Sequence, residues 1–142
     1  MKLLILNGPN LNLIGQREPQ IYGNLRFEDK VKEWSNIAGV ELEYFQSNIE
    51  GELIDALQKS DAEGIVFNAG GYTHTSVALR DAISAIKKDV IEVHMSNILT
   101  REEFRHTSVI GPVCIGSIMG FGMDSYELAI KQLLRKKGQN LS

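Results

Sequence analysis

The chain has 142 residues, of which 43% are hydrophobic, and a formal net charge of −3. This length and composition fit one globular domain, residues 1–142, and argue against a second domain. The slight acidic excess argues against a nucleic-acid partner, because binding a phosphate backbone requires a basic face. The single cysteine excludes an internal disulfide and fits a reducing compartment. No apolar run is long enough for a membrane span, so we expect a soluble, cytoplasmic protein.

The first part of the chain predicts a buried strand, a long loop and an amphipathic helix. Leu3–Leu6 is a continuous apolar run, as in strands buried on both faces. Residues 7–24 are rich in glycine and proline and lack periodicity, so we expect a loop whose part at about 15–25 forms a lid. Apolar residues at near-helical spacing then predict a helix over Phe27–Ile37, ended by Gly39.

The rest of the chain alternates short apolar runs with amphipathic stretches. Val40–Phe45 alternates apolar and acidic residues, which is typical of an edge strand. A capping box at Thr100–Glu103 predicts a short helix that carries Arg101 and Arg105 on one side. The remaining predictions are a helix opened by a capping box at Ser47–Glu50, strands at Ile65–Phe67, Val90–Met95 and Val113–Ile115, and helices over Val77–Ile86 and from Asp124 to about Lys136.

Regular alternation of strands and helices predicts an α/β fold with a parallel sheet and helices on both faces. Five strands in a chain of this size favour flavodoxin-like topology with strand order 2-1-3-4-5. In such sheets the ligand crevice lies at the carboxyl ends of the strands, here strands one, three and four.

The stretch Asn68–Ser76 leaves the third strand as a polar, glycine-bearing turn and is therefore a candidate ligand site. The glycine-rich segments do not match a phosphate-binding loop. His74, His94 and His106 lack the spacing of metal ligands. We therefore expect neither a metal nor a nucleotide.

Glu92 and His94 are two residues apart on the fourth strand and share a face. They could be a structural pair, since buried charges require partners. As a catalytic pair, Glu92 would orient His94, which would act as a general acid.

Arg17 and Tyr22 in the lid could be ordinary surface residues. If the lid folds over the crevice, Arg17 could lower the pKa of Tyr22 and make it a general base. Arg101 could reinforce this or bind substrate, and Arg105 could bind an anion, although the two could also be a solvated helix pair. Cys114 is interpreted as a small buried hydrophobe on the fifth strand.

These segments together resemble type II 3-dehydroquinate dehydratase. The resemblance spans nearly the whole chain in matching order and rests on the motifs Leu-Asn-Gly-Pro-Asn-Leu-Asn at 6–12, Arg-Glu-Pro-Gln-Ile-Tyr-Gly at 17–23, Gln-Ser-Asn-Ile-Glu-Gly-Glu-Leu-Ile at 46–54, Asn-Ala-Gly-Gly-Tyr-Thr-His-Thr-Ser at 68–76, Glu-Val-His-Met-Ser-Asn at 92–97 and Arg-Glu-Glu-Phe-Arg-His at 101–106.

The resemblance implies anti elimination of water from 3-dehydroquinate to 3-dehydroshikimate through an enolate, without metal or cofactor. The reaction would serve the shikimate pathway or quinate breakdown. The subunits would form a homododecamer of trimers.

The resemblance also implies a role for each matching residue. Tyr22 would be the base with Arg17 beside it, Asn10 would hold a water that stabilises the enolate, and His94 would be the acid, oriented by Glu92. The implied substrate-binding residues are Asn68, His74, Asp81 reaching from a neighbouring subunit, Met95, Ser96, Arg101 and Arg105.

The chain departs from the family pattern at Ile49, Met95, Thr107 and the segment 111–124, which bears on subunit packing and the shape of the site. Two other functions fit the same fold: a non-catalytic module that binds a small anion, and an oligomeric scaffold with a vestigial site. A base and an acid in one crevice favour the enzyme, because a binding module would require neither.

Overall fold

The computed structural model of the chain describes residues 1–14 and 26–139. Within these ranges, five strands form one sheet and four α-helices flank it. The strands are β1 (Lys2–Asn7), β2 (Glu41–Gln46), β3 (Gly64–Asn68), β4 (Asp89–His94) and β5 (Gly116–Met119). The helices are α1 (Phe27–Trp34), α2 (Glu50–Lys59), α3 (Val77–Ile86) and α4 (Asp124–Gln139). None of these helices is both long and apolar enough to cross a bilayer.

The sheet has the predicted order β2-β1-β3-β4-β5, and all neighbouring strands are parallel. This is the flavodoxin-like arrangement expected from the sequence. As predicted, β2 is an edge strand, and its residues alternate between exposed and half-buried. Asn7 at the end of β1 pairs with Asn68 at the end of β3, so the carboxyl ends of the central strands lie side by side.

Two apolar layers cover the two faces of the sheet. Successive side chains of a strand point to opposite faces, and β1 divides its leucines and isoleucine accordingly. Leu4 and Leu6 pack in the layer that contains residues of α2 and α3. Leu3 and Ile5 pack in the other layer, with residues of α1 and α4. Both faces of the central strands are therefore buried, which explains their continuous apolar runs.

The end of α1 and the start of α2 differ from the sequence predictions. Helix α1 ends at Trp34 instead of Ile37, because the chain leaves it through turns that lead to Gly39, whose φ is 86°. The predicted capping box at Ser47–Glu50 is wrong, since Ile49 is the N-cap of α2. The Ser47 hydroxyl instead accepts from the Ile49 amide and donates to Glu52, and it stabilises the turn before the helix.

The fifth strand was predicted three residues too early. Residues Gly111–Val113 form a 3₁₀ helix, and β5 begins at Gly116. The apolar run Val113–Ile115 is typical of a strand, but Val113 and Cys114 pack on the core from outside the sheet. The strand itself is an edge strand that begins with exposed Gly116 and Ser117 and lacks a buried apolar run. Cys114 is therefore half-buried beside the sheet, and not on the fifth strand.

Candidate active site

A cavity of about 450 Å³ lies at the carboxyl ends of β1, β3 and β4. This is the position at which parallel sheets of this topology bind ligands. Its lining consists of Pro9, Asn10, Leu11, Ile14, Asn68, Gly70, Gly71, His74, His94, Met95, Ser96, Ile98, Thr100, Arg101 and Arg105.

Two glycines allow the loop after β1 to pack against the turn after β3. The Gly8 amide donates to the Asn68 carbonyl at 2.7 Å, and a Cβ at Gly8 would lie only 2.5 Å from the Ala69 carbonyl oxygen. Gly70 has a φ of +59°, and a Cβ there would lie 3.0 Å from the Pro9 carbonyl oxygen. A side chain at either position would force the two segments apart and change the cavity wall.

Glu92 and His94 form a buried pair at the end of β4. The His94 Nε2 atom lies 2.7 Å from Glu92 Oε2, and the two residues are only 6% and 1% exposed. An ionised carboxylate accepts hydrogen bonds only, so Nε2 carries the proton of this bond. The remaining ring nitrogen, Nδ1, is thereby left as the site of proton exchange on a residue that lines the cavity.

The surroundings of Glu92 favour its ionised form. Burial alone would raise the pKa of this carboxyl group, but hydrogen bonds from His94, Ser117 and Ser108 outweigh it and hold the pKa below its usual value. The serine hydroxyls donate to Oε1 and Oε2 at 2.6 and 2.7 Å. Glu92 is thus a buried negative charge that can stabilise a positively charged His94.

His74 is fixed by the backbone on another side of the cavity. Its Nδ1 atom lies 2.8 Å from the Thr107 carbonyl oxygen, which can only accept, so Nδ1 carries the proton. The rings of His74 and His94 are nearly parallel, with centroids 6.4 Å apart. The cavity thus holds two imidazoles with assigned tautomers.

The cavity floor is a network of buried amides and a phenol. Asn68 donates through Nδ2 to the Tyr126 hydroxyl at 2.8 Å and accepts from the Gly70 amide at 3.1 Å. Tyr126 in turn donates to Asn7 Oδ1 at 2.8 Å. The side-chain amide of Asn68 is therefore held by α4 and by its own turn, and Tyr126 links it to Asn7 of β1.

Arg101 and Arg105 form the rim. The predicted short helix that would carry both is wrong: 3₁₀ helices span Ile98–Thr100 and Glu103–Arg105, and Arg101 lies between them. The two arginines nevertheless line the same cavity and share Glu102. Arg105 Nε lies 3.1 Å from one Glu102 oxygen, and Arg101 Nε lies 3.8 Å from the other. The rim therefore carries the positive charge that an anionic ligand would require.

Comparison with known proteins identifies the family. Residues 1–134 match the family described as Dehydroquinase class II. The chain belongs to the class II dehydroquinase family. This membership makes it an enzyme of the hydro-lyase type.

Relatives of this class II dehydroquinase match over nearly their whole length. The chain is 54% identical to the 3-dehydroquinate dehydratase of Nitratiruptor over 92% of this chain and 86% of that protein. It is 55% identical to the 3-dehydroquinate dehydratase of Exiguobacterium over 94% of each chain. Among solved structures, it resembles the type II dehydroquinase of Butyrivibrio crossotus with a TM-score of 0.87 and 47% identity, over 94% of this chain and 97% of that one.

Most of the site residues expected from the sequence meet at the cavity of this dehydroquinase. Asn10, Asn68, His74, His94, Met95, Ser96, Arg101 and Arg105 line it, and Glu92 lies behind His94. Asp81 is exposed on α3 and is not among the lining residues. Arg17, Tyr22 and the predicted lid at about 15–25 lie outside the described residues.

Sequence reasoning missed the two serines that bond Glu92. Ser117 lies directly opposite Glu92 in the pairing of β4 with β5, a register that the misplaced fifth strand concealed. Ser108 lies in irregular chain, where no periodicity predicts which way a side chain points. In the described part of the chain, no three His, Cys, Asp or Glu side chains cluster closely enough to hold a metal ion.

Proposed function

We propose that this class II dehydroquinase removes water from 3-dehydroquinate to give 3-dehydroshikimate by anti elimination through an enolate. The observation that carries the proposal is the buried Glu92–His94 pair, which opens into a polar cavity with arginines on its rim. A substrate that bears hydroxyl groups and a carboxylate would find donors for each in such a cavity.

His94 is the proposed general acid. The proton lost from C2 goes to a base, and the electron pair forms the enolate. The enolate then expels the C1 oxygen as the C1–O bond breaks, and this oxygen takes a proton from His94 Nδ1 and leaves as water. Because Nε2 is bonded to Glu92, the positive charge of protonated His94 is stabilised before the step begins.

The proposed base is Tyr22, with Arg17 beside it on the lid. An unaided phenol is too weakly basic at neutral pH, whereas a neighbouring guanidinium favours the phenolate. Asn10, on the loop after β1, is proposed to hold the water that stabilises the enolate, and its left-handed backbone, with φ of 71°, begins the 3₁₀ helix Leu11–Leu13. No metal or cofactor is part of this proposal.

The substrate is proposed to bind between floor and rim. Asn68, His74, Met95 and Ser96 would contact its ring and hydroxyl groups, and Arg101 and Arg105 its anionic end. A guanidinium donates two parallel hydrogen bonds to a carboxylate, which favours arginine for this task.

The test is a spectroscopic assay of the purified full-length chain with 3-dehydroquinate. We expect absorbance of the enone product to rise in the presence of a metal chelator. Replacing Tyr22→Phe should abolish turnover and leave substrate binding, measured by calorimetry, largely intact. Absence of product with the unmodified enzyme would contradict the proposed function, whereas retained turnover in the Tyr22→Phe variant would remove only the phenolate mechanism.

We further propose a single catalytic domain over residues 1–142 with a lid at about 15–25, assembled as a homododecamer of trimers in the cytoplasm. Asp81 would reach the site of a neighbouring subunit, which agrees with its exposure on α3. Native mass spectrometry should give twelve subunits. Deleting the gene in its own host and testing growth without aromatic amino acids, and on quinate as the carbon source, would separate a biosynthetic role in the shikimate pathway from quinate breakdown.

A further inference from the structure

The carboxylate of Glu92 is held on both oxygens, and only one of them faces His94. His94 Nε2 and the Ser108 hydroxyl both lie 2.7 Å from Oε2. The Ser117 hydroxyl donates to the other oxygen, Oε1, at 2.6 Å. Ser117 therefore binds the carboxylate through the oxygen that does not face the imidazole.

The fold brings Ser117 to this oxygen through strand pairing. Glu92 and Ser117 are partners in the parallel ladder of β4 and β5, so their side chains stand on the same face. Ser117 is not among the residues that line the cavity. Any effect of this hydroxyl on the reaction must pass through Glu92.

Gly111 provides the space in which this arrangement fits. A Cβ at Gly111 would lie 3.0 Å from Glu92 Oε1 and 3.2 Å from the Ser108 hydroxyl oxygen. Since the Gly111 amide also donates to the Ser108 hydroxyl at 2.9 Å, the 3₁₀ helix at this point cannot easily move away. A side chain here would press on the oxygen that Ser117 holds.

We propose that Ser117 is a positioning residue of this enzyme: its hydroxyl holds Oε1 of Glu92 so that Oε2 meets His94 Nε2 in line. The inference rests on the proposed function, in which His94 is the general acid. Without the hydroxyl, a buried carboxylate keeps its charge with one donor fewer, and it can rotate away from the imidazole.

Losing the Ser117 hydrogen bond should change the pKa of Glu92 in a predictable direction. The Ser117 hydrogen bond is one of the interactions that hold the pKa of Glu92 down, so its removal raises that pKa. The other groups that face Glu92 are His94 on its own strand, the Ser108 hydroxyl and the Cys114 thiol, whose pKa burial and Glu92 raise to about 12. The thiol stays neutral across the working range, so it does not contribute to the titration of Glu92.

The experiment compares Ser117→Ala, which removes the hydroxyl, with Ser117→Thr, which keeps it. Ser60→Ala is the matched control, because the Ser60 hydroxyl accepts from the Ala62 amide, far from Glu92 in the fold. In Ser117→Ala we expect kcat to fall by about tenfold and KM to change little. Ser117→Thr should restore kcat, and Ser60→Ala should match the unmodified enzyme.

A second measurement does not depend on turnover. The ¹³C carboxyl resonance of Glu92 should titrate at higher pH in Ser117→Ala than in the unmodified chain. An unchanged Glu92 titration, or an unchanged kcat in Ser117→Ala, would overturn the inference. If the unmodified enzyme gives no product, the proposed function fails, and the Glu92 titration still decides whether Ser117 positions the carboxylate.

Gly111→Ala perturbs the same oxygen from the other side and covers the case in which Ser117→Ala does not fold. Its Cβ would press on Oε1, so we expect kcat to fall while Ser117 is intact. Unchanged kcat in a folded Gly111→Ala variant would contradict the requirement for a fixed Oε1.

Discussion

The floor and the rim of the cavity hold their polar groups in opposite ways. Besides Asn68 and its partners, the floor includes His94 and, behind it, Glu92. These two residues lie at the end of a central strand, are almost fully buried and bond to each other at 2.7 Å. On the rim, the side chains of Arg101 and Arg105 are 39% and 26% exposed and lie on short turns. One region is shielded from solvent, and the other is open to it.

The difference matches the tasks proposed for the two regions. Proton transfer requires a donor within hydrogen-bond reach and at a fixed angle, so a general acid benefits from a rigid strand end. Attraction of an anion tolerates exposed and mobile side chains, because charge acts over a distance of several ångströms. Damage to the floor should therefore change the rate of the chemical step, whereas damage to the rim should change binding.

The largest effect is expected from His94→Gln. Glutamine keeps a donor near Glu92 but cannot release a proton, so kcat should fall by about 10²–10⁴-fold with a smaller change in KM. His106→Gln is the matched control, because the exposed His106 bonds the Arg101 carbonyl on the rim side, at 3.0 Å, and lies away from Glu92. Steady-state kinetics on 3-dehydroquinate would measure both, and equal losses of kcat in the two variants would remove the distinction between floor and rim.

The floor could be predicted from the sequence far better than the rim. Apolar runs such as Leu3–Leu6 fix the central strands, and polar residues that follow such runs must collect at one edge of a parallel sheet. This reasoning predicts from the sequence that Asn68 and His94 lie close together, and both line the cavity.

The rim and the fifth strand do not carry such apolar runs, so their structure is harder to predict from the sequence. Thr100–Glu103 matches the sequence pattern of a capping box. In the structure, however, Asn97 forms the turn there, because its side chain accepts from the Leu99 amide and its carbonyl accepts from the Thr100 hydroxyl. Arg101 lies between two 3₁₀ helices. The exposed start of β5 carries a weaker pattern than the apolar residues before it, which pack from outside the sheet. The local sequence determines the secondary structure of such segments only where tertiary packing does not override it.

A smaller effect, on stability, is expected from Tyr126→Phe. The change leaves the Asn68 Nδ2 donor and the Asn7 Oδ1 acceptor without their shared hydroxyl in a buried site. We expect a loss of about 1–3 kcal/mol in the free energy of unfolding, measured by urea denaturation. Tyr72→Phe should cost less, because the Tyr72 hydroxyl bonds the Asn48 carbonyl at an exposed position. If the two variants cost the same, the floor network is not a rigid support.

The smallest effect is expected from Glu102→Gln on the rim. Glu102 occupies the Nε edge of Arg105, and the pKa of its carboxyl group lies below the usual value because of its own backbone hydrogen bond and the Arg105 bond. An exposed carboxylate of this kind competes with an anionic substrate for the same guanidinium, and exposed ion pairs contribute little to stability. We therefore expect KM to fall by at most a few-fold, with kcat and the free energy of unfolding unchanged.

The direction in which KM changes in Glu102→Gln tests whether the floor and the rim hold their polar groups differently. If KM falls, Glu102 competes with the substrate for the Arg105 guanidinium, and the arginines bind any nearby anion. If KM instead rises, Glu102 holds Arg105 in its binding orientation, as Glu92 holds His94. A carboxylate would then fix the binding group on the rim as it does on the floor, and the exposed arginines would still have fixed orientations. Measuring KM at low and high salt separates the two, since screening weakens a competing exposed pair more than an oriented hydrogen bond.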